Sequence, residues 1–276
     1  MSGSFKSSLF SRCFGGFASC KFPRFFQIVV NKSYVSLMGV DLKEFKASSC
    51  YESLNALFTR ELLIKREIGK KDNEIISPCD SYISEMGKIE GVKALQIKGF
   101  EYSVYELLGE NIQNKEQIKN GDFINFYLSP KDYHRYHVPC DMKVLKAVHI
   151  PGKLYPVNLK WLRKVPKLFI ENERVVLECR DNEGKIFYMV FVGALNVGKM
   201  KFVFDDRIQT NVKESVQTIY EYDDMILRKG DELGRFEMGS TIVMLFEKES
   251  VIFTCKANQV VKFGDVIARK VERKRV

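Results

Sequence analysis

The sequence predicts an α+β fold: a mainly antiparallel β sandwich or barrel-like domain preceded by N-terminal amphipathic helices. Three observations carry that reading. Leu54, Leu57, Phe58 and Leu62 recur at helical spacing near the start of the chain. From residue 75 onward, short β-rich runs alternate with Gly, Asn, Asp and Pro turns, the texture of an antiparallel sandwich or barrel. Two stretches also resemble each other, Leu227-Arg228-Lys229-Gly230-Asp231-Glu232-Leu233-Gly234-Arg235-Phe236 and Val261-Lys262-Phe263-Gly264-Asp265-Val266-Ile267-Ala268-Arg269. Each reads as a Gly-Asp turn between two strands, as in compact β folds built from two similar halves.

In chain order, residues 1–40 carry Lys6, Arg12, Lys21, Arg24 and Lys32, no acidic residue, and Phe5, Phe10, Phe14, Phe17, Phe22, Phe25 and Phe26. Gly15, Gly16, Ser19 and Lys21 interrupt the apolar centre that a secretory signal needs. The segment reads as two helices separated by Pro23. Their phenylalanines pack on the core, enter a lipid headgroup region beside the basic side chains, or do both. Residues 51–68 read as one amphipathic helix, and Gly69-Lys70-Lys71-Asp72-Asn73-Glu74 as a solvated boundary loop. The chain divides there into an N-terminal helical, membrane-associating region, 1–70, and a β-rich domain, 71–276. Strands are expected at 81–85, 93–97, 123–128, 144–150, 174–178, 186–192, 199–204, 241–246, 250–254 and 266–269.

The 276 residues are 45% apolar and 29% charged, ordinary globular composition with ample material for a core. The net charge of +9 suits an anionic membrane or nucleic acid. No nucleic-acid recognition motif accompanies it, which sets that partner aside. No apolar run is long enough for a membrane span. The seven cysteines form no Cys-x-x-Cys pair, which argues against a disulfide framework or zinc ribbon and for a reducing compartment.

Two of the three histidines, His134 and His137, fall in Ser129-Pro130-Lys131-Asp132-Tyr133-His134-Arg135-Tyr136-His137, read as a loop or single turn between Pro130 and Pro139. Imidazoles clustered beside Asp132, Tyr133 and Arg135 point to a site, because histidine titrates where acid–base chemistry needs it. His149, in an alternating run, reads as a core or surface residue. Ser77-Pro78-Cys79-Asp80-Ser81 is a proline turn ending in a carboxylate, which alone reads as an amide cap. Phe236-Glu237-Met238-Gly239-Ser240-Thr241 precedes the apolar run 242–246. Gly239, lacking a Cβ, leaves its carbonyl open to a nucleophile, and Ser240 supplies a hydroxyl one residue away. Alone, that tripeptide is a turn entering a strand. Asp80, a histidine and Ser240 together make an acid–base–nucleophile set of the kind that assembles in space.

These blocks resemble the phosphatidylserine decarboxylases, pyruvoyl-dependent enzymes, in their prokaryotic type. The matches run in family order: Leu57-Phe58-Thr59-Arg60-Glu61-Leu62; Ser77-Pro78-Cys79-Asp80; Gln96-Ile97-Lys98-Gly99; Leu128 through His137; Pro151-Gly152-Lys153-Leu154-Tyr155-Pro156-Val157-Asn158; Asn172-Glu173-Arg174; Val192-Gly193-Ala194; and Gly234 through Thr241. Met238 stands where the bacterial pattern has leucine, and Cys79 and Ser81 flank Asp80 where it has valine and glycine.

The resemblance implies a zymogen that cuts itself between Gly239 and Ser240, giving a large chain 1–239 and a small chain 240–276. Asp80 is expected to orient His137, which takes the proton from Ser240, and Ser240 becomes a pyruvoyl group (pyruvic acid). That covalent cofactor is expected to form a Schiff base with phosphatidylserine and to release carbon dioxide, leaving phosphatidylethanolamine. His134 is the candidate for positioning the substrate or returning the proton. No metal is implied. The expected partners are phosphatidylserine in an anionic membrane and the two chains of one precursor, with room for a homodimer. The expected location is peripheral, on the cytoplasmic face of the cell membrane. Two other readings stay open on the residues alone. One is a zinc hydrolase using His134, His137 and Asp80. The other is a non-enzymatic lipid-binding β module.

Overall fold

A computed structural model describes residues 15–97, 99–195, 199–212, 216–237 and 240–271. Residues 15–19 are helical, and Pro23 is the N-cap of α1 (Arg24–Met38), which ends at Gly39 in the left-handed conformation, φ 68°. The expected break at Pro23 is where the chain makes it. The basic and aromatic positions before residue 15 lie outside the described residues.

Helix α1 is partly inverted relative to a water-facing helix. Its fully buried side chains are polar: Gln27 donates to Asn31, and Asn31 donates to the carbonyls of Ser48 and Tyr51. Val30, Tyr34 and Val35 pack against Ala18, Leu54 and Leu57, while other apolar side chains face out, with Phe25 83% and Leu37 81% exposed.

The long helix expected over 51–68 is instead one short helix, α2 (Leu54–Phe58), capped by the Ser53 hydroxyl, which accepts from the Ala56 amide. Beyond it the chain leaves helical conformation, for a reason visible in two side chains. Arg60 turns inward to the carbonyls of Lys131 and Asp132, and Arg66 reaches Glu44 and Asp80. Residues six apart lie about 240° around a helix, so one helix cannot deliver both.

Sixteen strands follow among the described residues. They are β1 (Glu74–Ile76), β2 (Ser81–Lys88), β3 (Lys93–Ile97), β4 (Phe100–Ser103), β5 (Asp122–Leu128), β6 (Arg135–His137), β7 (Met142–Ile150) and β8 (Arg174–Asp181). Then come β9 (Ile186–Val192), β10 (Met200–Phe202), β11 (Thr218–Leu227), β12 (Glu232–Phe236), β13 (Ser240–Phe246), β14 (Val251–Phe253), β15 (Val260–Val261) and β16 (Val266–Lys270). Three short helices, α3 (Val104–Leu108), α4 (Leu159–Leu162) and α5 (Leu168–Glu171), lie between strands. The stretch expected as a histidine loop therefore ends in a strand, β6.

The central sheet is antiparallel, in the order β11-β7-β8-β9-β13-β5-β2-β15. It ends in two edges, so the barrel alternative gives way to stacked sheets. On one face, Ile242, Met244 and Phe246 pack with side chains from two three-stranded sheets, β1-β16-β14 and β10-β12-β6. On the other, Val243 and Leu245 pack with α3, α4, α5 and the β3–β4 hairpin. β13 and β9 are buried along their whole length, which is why they read as continuous apolar runs rather than alternating ones.

The repeat seen in the sequence extends to the whole β domain. The central order is a palindrome in which β15, β2, β5 and β13 stand to one side as β11, β7, β8 and β9 stand to the other. The three-stranded sheets match as β1-β16-β14 and β6-β12-β10. Hydrogen bonds repeat with the strands. Ile76 N donates to Pro139 O, and His137 N to Pro78 O. Gly264 N donates to Ser77 O, and Gly230 N to Val138 O. Phe263 N donates to Asp80 and Lys229 N to Asp141, each at 2.8 Å. Gly230 and Gly264, with φ of 88° and 99°, each leave no room for a Cβ beside Ile68. One copy, β6 through β12, is inserted whole into the other, between β5 and β13. Ser240, the first residue of β13, marks the return. The candidate residues divide between the copies: Asp80 and Ser240 lie in the outer one and His137 in the inserted one, where Ile76 is its counterpart in the other.

Candidate active site

Ser240 lies opposite Leu128, the last residue of β5, and the histidine segment leaves the sheet from Leu128. Its side chain is fully buried, and Oγ has no hydrogen-bond partner among the described residues; Thr241 Oγ1 is in the same condition. A buried hydroxyl left unpaired costs about 1–3 kcal/mol, which marks these two as unusual. Met238 and Gly239 lie outside the described residues, so the expected scissile peptide has no described geometry.

From Leu128 the chain makes a tight turn in which Asp132 N donates to Ser129 O and Ser129 N donates to the Asp132 carboxylate. Burial raises the Asp132 pKa above the ordinary carboxylate value. The next two residues bring in His134. Its Nδ1 lies 2.8 Å from the Asp132 carbonyl oxygen. A carbonyl only accepts, so Nδ1 carries the proton and Nε2 presents a lone pair. Nε2 is buried without a partner among the described residues, and the ring packs on Phe58 at 3.8 Å. Burial, with Arg60 nearby, pulls the pKa down to about 3.

His137 has the same tautomer for the same reason, because Nδ1 donates to the Gly230 carbonyl at 3.1 Å. Its Nε2 accepts from the Tyr133 hydroxyl at 3.1 Å. The ring stacks on Phe263, and burial lowers its pKa to about 4. The two turns of the internal repeat thus grip His137 from two sides, one through Gly230 and the other through Phe263.

Asp80 is held bidentately by Arg66, at 2.5 and 2.9 Å, and accepts from the Phe263 amide. It makes no hydrogen bond to His137; Phe263 connects them, touching Asp80 with its backbone and His137 with its ring. Nor does His137 bond Ser240. Register along β12 separates the histidines: His137 lies opposite Glu232, whereas the His134 carbonyl accepts from Phe236 N, at the end nearer Ser240. Asp80, His134 and His137 do not converge on a common point, and no metal-binding cluster of His, Cys, Asp or Glu occurs among the described residues. The zinc reading therefore has no ligand set here.

Four side chains with roles in this geometry had none assigned from the sequence: Arg60, Arg66, Tyr133 and Phe263. Arg60 and Tyr133 lie inside the motifs that carry the resemblance and Phe263 inside the Gly-Asp repeat, and those positions were the available signal. Arg66 gave none: nothing in the sequence links it to a carboxylate fourteen residues away. His149 is buried and paired with Glu173 at 2.9 Å, in keeping with a core histidine.

The sequence model of the family described as Phosphatidylserine decarboxylase matches residues 54–269. The chain is 49% identical over 263 residues to the phosphatidylserine decarboxylase proenzyme of Campylobacter jejuni, covering 94% of this chain and 97% of that one. It is 47% identical over 262 residues to the proenzyme of the same name from Helicobacter pylori, covering 95% and 96%. It is 39% identical over 229 residues to the phosphatidylserine decarboxylase proenzyme of Nitrosospira multiformis, covering 80% and 78%.

Proposed function

The chain belongs to the phosphatidylserine decarboxylase family, and from that premise we propose that Ser240 both cuts this chain and becomes its covalent pyruvoyl group. The protein is a carboxy-lyase that converts phosphatidylserine to phosphatidylethanolamine and carbon dioxide in phospholipid biosynthesis. The observation that carries the Ser240 assignment is its buried, unpartnered hydroxyl at the first residue of β13. In self-cleavage Oγ attacks the Gly239 carbonyl carbon, the Gly239–Ser240 C–N bond breaks, and an ester forms with a free amine on Ser240. Elimination releases chain 1–239 as a carboxylate, and hydrolysis with loss of ammonia leaves the pyruvoyl group on chain 240–276. When formed, that group supplies a sink for the electron pair left behind by carbon dioxide.

Asp80, His137 and Ser240 form the proposed cleavage group, with His134 handling the proton in decarboxylation. Asp80 acts on His137 through Phe263, and Nε2 of His137 becomes available when Tyr133 releases it. One observation favours a second assignment. Nε2 of His134 is already free, buried and at the Ser240 end of β12, so His134 is the alternative acceptor of the Ser240 proton. After cleavage the two chains remain one molecule, because β13 is hydrogen-bonded to β5 on one side and to β9 on the other.

The lipid substrate accounts for the inverted helix α1. Exposed Phe25, Phe26, Val29 and Leu37 enter the headgroup region, while Lys21, Arg24 and Lys32 meet anionic lipid. No described helix is long and apolar enough to cross a membrane, and attachment to the cytoplasmic face is the proposed mode. The function is tested by conversion of phosphatidylserine to phosphatidylethanolamine in anionic vesicles. Wild-type protein turns over and Ser240→Ala does not; equal turnover by both rejects Ser240 as the source of the cofactor.

A further inference from the structure

Arg60 is only 2% exposed. Its Nη2 donates to the carbonyl oxygens of Lys131 and Asp132, at 2.8 and 3.0 Å. Nε and Nη1 are fully buried and find no acceptor among the described residues, and the guanidinium lies over the Phe45 ring at 4.5 Å. No carboxylate comes within ion-pair distance of it among the described residues. A buried cation left without a counter-charge is among the least favourable arrangements in a folded protein. Such a group marks a place where an anion is meant to arrive.

The surroundings agree. Arg60 lines a cavity of about 200 Å³. The acidic groups on that cavity are already satisfied: Asp80 by Arg66, Glu44 by Arg66 and Lys262, Asp41 by Lys43, and Asp132 by the Ser129 amide. Lys131, also on the cavity, has no ion pair among the described residues. Two cations, Arg60 and Lys131, thus face one carboxylate that has no cation partner, Asp132, so the charge left over is positive. The Asp132 carbonyl that Arg60 grips is also the acceptor for His134 Nδ1. The free donors of Arg60 and the free Nε2 of His134 thus belong to one constellation.

We propose that Arg60 is the headgroup anion site of this decarboxylase, its free Nε and Nη1 donors taking an oxyanion of the substrate. The proposal rests on the decarboxylase reading above. Phosphatidylserine offers a phosphodiester and a seryl carboxylate. The phosphodiester is favoured, because pairing the carboxylate with a buried guanidinium stabilises it against leaving as carbon dioxide. The phosphodiester is the same in substrate and product.

The test uses the full-length, self-cleaved protein as wild type, Arg60→Gln and Arg60→Lys, with the small chain confirmed on a gel. Dihexanoyl phosphatidylserine is the substrate. Dihexanoyl phosphatidylethanolamine, which keeps the phosphodiester and lacks the carboxylate, is titrated by calorimetry. Arg60→Gln is expected to raise KM and weaken phosphatidylethanolamine binding by the same factor, about 10- to 100-fold, the size of a lost charge-assisted hydrogen bond. Arg60→Lys falls between it and wild type. If Arg60→Gln fails to cleave, Arg60→Lys, which keeps the charge, carries the comparison. A raised KM with unchanged phosphatidylethanolamine binding keeps the anion site and reassigns its occupant to the carboxylate. Unchanged KM and unchanged binding in a cleaved variant overturn the proposal. Wild-type protein that binds phosphatidylethanolamine through Arg60 but turns nothing over counts against the decarboxylase reading and leaves the anion site standing.

Discussion

Phe263 stacks face to face on His137, with ring centroids 3.6 Å apart and planes 11° from parallel, while its backbone amide donates to Asp80 at 2.8 Å. A carboxylate and an imidazole that do not touch are thus held in one unit by a residue between them. That unit sits where the two turns of the duplicated β domain meet.

Asp80→Asn keeps the shape of the unit and removes its charge. It is expected to slow self-cleavage by about 10²- to 10⁴-fold, the usual contribution of an acid–base group. The lost charge-assisted bonds to Arg66 are expected to lower stability by about 1–3 kcal/mol. Phe263→Leu keeps the amide donor and loses the flat stack, so it should slow cleavage less. A time course of small-chain appearance reads both; wild-type rates in Asp80→Asn would remove the carboxylate from the mechanism.

The histidines separate by the reaction they stop. His137→Ala is expected to block self-cleavage to the same degree as Asp80→Asn, since residues that act as one unit fail together. His134→Ala is expected to yield at least some small chain yet decarboxylate poorly. A His134→Ala protein that stays intact while His137→Ala cleaves would transfer the base role to His134, whose Nε2 is the free one.

Acid should unfold the protein through the same imidazoles. Their pKa values drop from 6.5 to about 3 for His134 and about 4 for His137 because they are buried. The unfolded chain binds those protons below pH 6.5 and the folded chain refuses them. The stability they contribute is therefore complete above 6.5 and is lost as pH falls through the window to the folded values. The slope is up to about 1.4 kcal/mol per pH unit for each histidine. Denaturant midpoints of uncleaved Ser240→Ala protein measure this, and the upper part of the window, above the ordinary carboxylate range, isolates the histidines. Replacing His134 with Gln should flatten the slope there, and a midpoint indifferent to pH contradicts it.

Helix α1 predicts how the protein meets lipid. Replacing Phe25 and Phe26 with Ser should lower co-sedimentation with anionic vesicles and turnover on them, while the small chain still forms. High salt should weaken binding without abolishing it, because it screens the basic residues and spares aromatic burial. Unchanged sedimentation of a cleaved double variant would reject the interfacial role.

Much of this was legible in the sequence. The Gly-Asp repeat announced a duplicated β domain because a turn with positive φ leaves a glycine signature at fixed offset, and Gly230 and Gly264 are those glycines. The continuous apolar run of β13 announced a strand covered on both faces. Residues 51–68 misled because Leu54, Leu57, Phe58 and Leu62 keep helical spacing while Arg60 and Arg66 are pulled inward by groups far along the chain. The pairing of Asp80 with Arg66, and its link to His137 through Phe263, join residues distant in sequence, and no local pattern encodes them. The inversion of α1 was half visible: the phenylalanines were plain, but only packing assigns Gln27 and Asn31 to the inside.

Intact-mass measurement of the purified protein reads directly whether Ser240 cuts the chain and becomes the cofactor. Two chains are expected, 1–239 and 240–276, with the small chain lighter by one ammonia than a serine-initiated fragment and closed to amino-terminal sequencing. Ser240→Ala should give a single chain of 32.0 kDa. A wild-type protein that remains one intact chain while turning over phosphatidylserine, or a small chain that begins with an unmodified serine amine, would contradict it.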